Sequence, residues 1–327
     1  MTLRLAIIAD DLTGALDASA PFAGGLRVRV AVRAAGLAAA MVGADVVAVS
    51  TGSRDMTPAA ARAVVAGILA QLPPGVRLFK KVDSRLKGPV AAELAAFGDV
   101  PMLVVPALPE FGRMVRGGFV VGHGVASPID VAAAVGRAAD IPDMETPEQM
   151  LMAVGGADSA LIVGARGAAL ALAAVMGLRA QVPAFPAGPM VIGVGSTDPI
   201  TLAQVADLRT LADLRYVAAP DGIAVATPAE GVTLVQAVPG LGASGAEVAR
   251  ALAKTMEPLV VGAATLVLTG GATAEAVLDL LGIDVLDVQG DVLPGLPLSR
   301  AGQWQIVTKS GGFGGADTLS LLAWGAL

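Results

Sequence analysis

Short apolar runs alternate along this chain with longer Ala-rich stretches in which apolar residues recur at helical spacing. The runs are continuous rather than apolar–polar alternating, as in strands covered on both faces. They predict strands over residues 3–9, 28–32, 46–49, 76–81, 102–105 and 160–163 in the first half, and over 190–194, 215–218, 265–268 and 305–308 in the second. Helices are predicted near 57–71, 89–97, 147–154 and 166–176, then near 199–208, 244–256, 273–281 and 317–324. That alternation argues for an α/β protein with mostly parallel sheets flanked by helices. The segment Gln181-Val-Pro183-Ala-Phe-Pro186-Ala-Gly188-Pro189 cannot continue a helix or a central strand. It divides the chain into expected domains at 1–185 and 186–327. Two such domains suit a two-substrate reaction with the active site in the cleft between them.

Composition narrows the function. The chain is 55% apolar but only 3% aromatic, so Ala, Val, Leu and Gly must fill the cores. The mean hydropathy of +0.72 would suit a membrane protein. Glycines and prolines nevertheless interrupt every long uncharged run, so no spanning helix is expected. The first residues lack a basic-then-apolar leader pattern, and a cytoplasmic enzyme is the default. Formal net charge is −6 with no basic run, which argues against nucleic acid as a partner. The absence of Cys excludes disulfides and thiol nucleophiles, and a single His (His123) excludes a His-rich metal site. The sequence leaves a homo-oligomer open.

Candidate chemistry sits where predicted strands end. Asp10-Asp11-Leu-Thr13-Gly14 follows the first strand. One aspartate is accounted for as a helix cap. Two adjacent carboxylates call for a cation or for substrate hydroxyls between them. Lys80-Lys81-Val-Asp83-Ser84-Arg85-Leu-Lys87-Gly88-Pro89 is the densest cationic stretch and reads as a pocket for a carboxylate or phosphate. Arg113 and Arg116, after Pro106-Ala-Leu-Pro109, are candidates to close the same pocket, with an ordinary Pro/Gly loop the equal alternative. In the second half, Gly195-Ser196-Thr-Asp198-Pro199, Gly270-Gly271-Ala272-Thr273 and Lys309-Ser310-Gly311-Gly312-Phe-Gly314 each join a strand to a helix. Glycines there let backbone approach a ligand, and the helix N-terminus favours anions, so together they read as a nucleotide-phosphate site. None fits the Walker lysine loop or the dinucleotide fingerprint.

These motifs, in this order, resemble the four-carbon acid sugar kinase family over nearly the whole chain. The segments that carry the resemblance are Ala9-Asp10-Asp11-Leu-Thr13-Gly14-Ala-Leu-Asp17, Lys81-Val-Asp83-Ser84-Arg-Leu-Lys87-Gly88 and Pro106-Ala-Leu-Pro109 with Gly112-Arg113. They continue with Gly195-Ser196 and Gln204, then Gly270-Gly271-Ala-Thr273, then Thr308-Lys309-Ser310-Gly311-Gly312-Phe313-Gly314. The resemblance implies an acid-sugar domain followed by an ATP-binding domain, with ATP and Mg²⁺ as cofactors. It places the substrate on Asp10, Asp11, Asp83, Ser84, Lys87 and Arg113, to which the residue reading adds Arg85. It places the nucleotide on Ser196, Gly270, Gly271, Thr273, Gly311 and Gly314, to which Ala272, Lys309 and Gly312 are added as loop neighbours. Asp11 is expected to orient or deprotonate the acceptor hydroxyl, with Asp10 supporting it or a metal whose ligands stay unknown. The chain departs from the family at Arg85, Lys87, Pro89 and Ala272, and it is shorter than is usual there. Two rivals remain at this point: an acid-sugar or nucleotide sensor that has lost the chemistry, and an α/β oxidoreductase.

Overall fold

The computed structural model describes residues 3–157, 160–227 and 231–324. The chain forms two compact units, Met1–Ala180 and Gln181–Leu327. In the N-terminal unit the elements run β1 (Leu5–Ala9), α1 (Leu12–Ser19), β2 (Val28–Ala31), α2 (Leu37–Met41), β3 (Val46–Ser50), α3 (Pro58–Leu69), β4 (Arg77–Lys81), α4 (Val90–Leu94) and β5 (Met102–Val105). They continue with β6 (Arg113–Arg116), β7 (Phe119–Gly122), β8 (Ile129–Asp130), α5 (Val131–Val135), α6 (Pro147–Gly155), β9 (Leu161–Gly164) and α7 (Arg166–Val175). Six of the strands form a parallel sheet in the order β2-β3-β1-β4-β9-β5. Every residue of β1 and β3 is buried, as continuous apolar strands require.

The C-terminal unit comprises β10 (Met190–Val194), α8 (Pro199–Leu208), β11 (Leu214–Pro220), β12 (Val232–Val238), α9 (Gly245–Val260), β13 (Thr265–Thr269), α10 (Gly271–Leu280), β14 (Val285–Leu293), β15 (Leu296–Ala301), β16 (Trp304–Lys309) and α11 (Thr318–Trp324). Its strands lie in the order β11-β12-β10-β13-β16-β15-β14. The first five are parallel, and the β14–β15 hairpin joins β16 antiparallel. Ile192, Val194, Leu234, Val267, Val307, Leu319 and Leu322 meet in the core of this unit. Among the described residues no helix is long and apolar enough to cross a membrane.

The α/β architecture with mostly parallel sheets agrees with the sequence reading. That reading assigned nothing to residues 113–130, which form the small antiparallel sheet β6-β7-β8, or to the β14–β15 hairpin. Both are local antiparallel pairings: β6, β7 and β14 are only partly buried, and the buried β15 is broken by Pro297, Ser299 and Arg300, so none shows the solid apolar run that marks a central strand. The buried beginning of β12 went unassigned as well.

Position in the sheets places the site. In each unit the chain crosses to one side of its first strand and later returns to the other side. The turning points lie between β1 and β4, and between β10 and β13. Loops leaving such a pair diverge and open a crevice at the carboxyl edge. The paired aspartates and the cationic stretch flank the first crevice. Two of the glycine loops flank the second.

Behind the first crevice, the fully buried Lys80 ammonium pairs with buried Glu93 of α4 at 3.2 Å. Glu93 also accepts from Ser53 Oγ. Removing one partner leaves an uncompensated buried charge. Glu93→Leu alone should therefore cost about 3–5 kcal/mol of unfolding free energy, while Lys80→Met/Glu93→Leu recovers most of it. Denaturant melts of the single and double variants check this.

Candidate functional site

In the N-terminal unit, β1 is buried to its last residue, and the chain leaves it through Asp10 and Asp11 directly into α1. Asp11 has extended backbone and caps that helix: its Oδ1 accepts from Gly14 N at 2.7 Å, and its Oδ2 from Thr13 Oγ1 at 2.9 Å. Asp10 is buried beside it. Both carboxylates converge on one guanidinium: Arg54 Nε donates to Asp10 Oδ2 at 2.8 Å, and Arg54 Nη1 lies 2.8 Å from Asp11 Oδ2. Burial raises the Asp10 pKa, but Arg54, Lys80 and Lys81 together hold it below the usual carboxylate range. Asp10 Oδ1 is buried with no hydrogen-bond partner. Gly14 is obligatory, because a Cβ there would lie 2.6 Å from Asp11 Oδ1 and 3.1 Å from Lys81 Nζ.

The loop after β4 supplies the second group. Asp83 Oδ1 accepts from Arg85 N at 2.8 Å and shapes the turn, and Leu86 takes a left-handed conformation (φ 52°). Arg113 reaches in from β6. Its Nη1 donates to Ser84 Oγ, while Nε and Nη2 hold the His123 carbonyl at 3.0 and 2.9 Å. Burial and the neighbouring Arg85 lower the Arg113 pKa, with Asp83 opposing. Arg85 Nε is buried without an acceptor. Two guanidinium groups kept together with one donor unanswered make an anion-binding arrangement. Lys87 is exposed. Arg116, a candidate to close the same pocket with an ordinary loop as the equal alternative, is set aside by the strand it lies on. Three residues beyond Arg113, it faces the opposite side of β6 and pairs with Glu145.

The C-terminal unit brings its three glycine loops together. Gly270 (φ 87°) opens α10 with no side-chain cap, and its own N–H goes to Lys309 O at 2.9 Å. The first N–H groups of a helix find no acceptor within it, and no side chain caps these of α10, which is the condition for binding an anion. A Cβ at Gly195 would lie 2.2 Å from Thr273 Oγ1, and one at Gly311 would lie 2.8 Å from Ser196 Oγ. Asp198 caps α8 through Ile200 N, and its Oδ2 lies near Gly312. The inner face of α8 grips the last loop: Thr201 Oγ1 donates to Gly311 O, and Gln204 Nε2 donates to Phe313 O and Gly315 O. Gly314 (φ 86°) lies against Thr318. With these carbonyls turned inward, the loop leaves N–H groups for the other side.

Lys309, expected at the nucleotide, points under this loop instead. Its Nζ donates to Thr201 Oγ1, Ser310 O and Gly311 O at 3.0–3.1 Å, which uses all three protons. It shapes the loop from behind. Three contributors escaped the sequence reading as site residues. Arg54 stands alone in a loop far along the chain from Asp10 and carries no local motif. Thr201 shows only as a polar position on a helix whose inner face is largely apolar, and Gln204, one turn on, entered as part of the resemblance without a role.

Among the described residues no three His, Cys, Asp or Glu side chains gather as a metal site. Asp10 and Asp11 already carry Arg54 where a resident cation would sit. Mg²⁺ needs only one or two carboxylates beside nucleotide phosphates, and Asp198 at the glycine loop fits that requirement.

Burial lowers the Lys309 pKa from 10.5 to about 8, with Asp198 partly opposing. Between those values the unfolded chain binds more protons than the folded one. This contribution to stability is therefore fully present above 10.5, and it is lost as pH falls through about 8. The stability difference between wild type and Lys309→Met should rise with pH across that window. Unfolding free energies at a series of pH values check this.

Comparison with known proteins agrees with the division of labour between the units. A Sugar-binding N-terminal domain description matches residues 5–129, and a Nucleotide-binding C-terminal domain description matches residues 221–319. The D-threonate kinase of Cupriavidus necator is 31% identical over 397 residues, covering 96% of this chain and 95% of that protein. The D-threonate kinase of Bordetella bronchiseptica is 33% identical with the same coverage, and the 3-oxo-tetronate kinase of Methylobacterium radiotolerans is 29% identical over 97% and 98%. A Haemophilus influenzae protein, HI1011, shares the fold (TM-score 0.69, 20% identity, covering 98% of this chain and 99% of that one). So does a Salmonella typhimurium LT2 protein (TM-score 0.77, 19% identity, 97% and 98%). With both domains matched and the kinases aligned from end to end, this chain belongs to the four-carbon acid sugar kinase family and is a phosphotransferase.

Proposed function

We propose that this kinase uses ATP and Mg²⁺ to phosphorylate a hydroxyl of a small, four-carbon sugar acid such as a tetronate or 3-oxo-tetronate. One observation carries the ATP assignment: the α10 N-terminus has no side-chain cap, and the loops beside it pack so closely that a Cβ at Gly195 or Gly311 would collide with Thr273 or Ser196. The acid assignment is supported by the Arg85–Arg113 pair and by what the relatives are named for.

The substrate carboxylate would be held by Arg85 and Arg113, with exposed Lys87 at the rim. The acceptor hydroxyl would lie on Asp11, the more exposed of the two aspartates at 17% against 2% for Asp10. Its oxygen attacks the γ-phosphorus and its proton passes to Asp11. The bond to the leaving oxygen breaks with the electron pair going to ADP. The phosphates would rest on Ser196, on the first turn of α10 at Gly270, Gly271, Ala272 and Thr273, and on the loop Gly311, Gly312 and Gly314 that Lys309 supports. Mg²⁺, when bound, would supply charge neutralisation to the phosphates, and Asp198 would be the carboxylate that holds it.

The test is ADP release with ATP, Mg²⁺ and a panel of three- to six-carbon sugar acids. Turnover on a four-carbon acid is the expected result; ATP binding with no turnover on any acid overturns the assignment. Arg85→Ala should raise the KM for the acid by about 10- to 100-fold, the worth of a hydrogen bond to a charged group, and leave ATP affinity unchanged. Steady-state kinetics with each substrate varied in turn check this.

A further inference from the structure

We propose that Arg54 is a positioning residue for phosphoryl transfer, holding the carboxylates of Asp10 and Asp11 in the arrangement that meets the acceptor hydroxyl. This rests on the kinase reading of the Asp10–Asp11 site. Arg54 is bonded to both aspartates, each at 2.8 Å. Its two contacts use different nitrogens, Nε and Nη1, so the planar fork fixes the spacing between the two carboxylates.

The loop that carries Arg54 is itself locked. Thr51 donates to the Ala9 carbonyl through both N and Oγ1 at 2.9 Å, tying the loop to the end of β1. Ser53 is fully buried and donates to Glu93, which the Lys80 ammonium holds from the other side. The backbone of Arg54 fits against Gly88 so closely that a Cβ at Gly88, already at φ +89°, would lie 3.2 Å from Arg54 O. Arg54 is thus joined to the loop after β1 by ion pairs and to the loop after β4 by backbone contact. β3, β1 and β4 are neighbours in the sheet, so three loops of one edge meet at this residue.

A surface counter-ion would also neutralise two acids. It would not be three-quarters covered and braced on both sides, as Arg54 is at 27% exposure. The charged groups facing Asp10 are Arg54, Lys80 and Lys81. Those facing Arg54 are Asp11, Asp10 and Asp83. Lys80 pairs with Glu93, and Lys81 Nζ donates to the Val82 carbonyl. Among the described residues the direct ion pairs to both aspartates come from Arg54, so its loss removes them, and two adjacent carboxylates then resist sharing the ionised state.

The experiment measures kcat, KM and their pH dependence for wild type, Arg54→Lys, Arg54→Gln and Arg54→Ala on the best acid of the panel. ATP binding and the melting temperature report the folded state. Arg54→Gln should lower kcat about 10- to 100-fold, as lost orienting partners do. ATP affinity should stay within about twofold of wild type, as expected for a site on the other unit. The acid limb of its kcat profile should move up by about one pH unit or more. Arg54→Lys, which keeps the charge and loses the fork, should keep the acid limb nearer wild type with an intermediate kcat. Added guanidinium ion should restore part of the Arg54→Ala activity. A wild-type kcat in Arg54→Gln, or a loss of kcat with an unmoved acid limb and no guanidinium rescue, overturns the assignment while leaving the kinase reading intact. Should Arg54→Gln fail to fold, Arg54→Lys decides: a wild-type kcat and profile overturn the role of the fork. Wild type that binds ATP and turns over no acid overturns the kinase reading and this assignment with it.

Discussion

In a parallel sheet every strand ends at the same edge, and the crossovers alone determine which loops become neighbours there. That constraint organises each unit of this protein. Where crossovers on either side lead the chain in opposite directions, between β1 and β4 and again between β10 and β13, the loops separate and backbone groups are left without sheet partners. Those backbone groups need side chains, helix N-termini or ligands. The chain fills the first opening mainly with charged side chains and the second mainly with glycine.

The difference follows from what each opening has to face. The N-terminal opening gathers Asp10, Asp11, Asp83, Arg54, Arg85 and Arg113 in a chain with only 15% charged residues. Arg54 offsets Asp10 and Asp11 in that cluster, while the mutual repulsion of Arg85 and Arg113 favours an anion beside them. The C-terminal opening relies less on charge, with Asp198 at its loop and Lys309 behind it. Its groups are main-chain N–H groups made accessible by Gly195, Gly270 and Gly311, where a side chain would collide with Thr273 or Ser196 or would strain the backbone. Fixed dipoles of this kind suit a phosphate chain, since they need no rearrangement when charge moves.

Buried lysines connect these openings to their cores. Lys80 and Lys309 both occupy last-turn positions of central strands, both are fully buried, and both direct Nζ to protein oxygens behind a loop. Each braces the loop that faces the ligand. A cation in a strand–loop motif is therefore ambiguous in sequence: Lys309 and Arg85 look alike as basic residues next to a turn, yet one is turned inward and the other has a donor unanswered.

Much was legible in the sequence. Continuous apolar runs named the central strands because burial on both faces leaves no polar position, and β5 and β10 have the residue bounds that their runs indicate. The glycine loops and paired aspartates were legible because tight turns and helix caps need particular residues within a few positions. The antiparallel hairpins were not, since half-buried strands, and a buried one interrupted by Pro297, Ser299 and Arg300, carry a weaker pattern. Arg54 was invisible for a different reason: its partners lie more than forty residues away, and only the adjacency of β3 with β1 brings them to 2.8 Å. By itself the sequence determined the α/β class, the strand-end positions of the chemistry and the residue types available, because periodicity and turn chemistry are local. Only the tertiary structure decided which charges meet, which lysine faces inward and which guanidinium holds the two carboxylates, because strand order in the sheet is a non-local property of the chain.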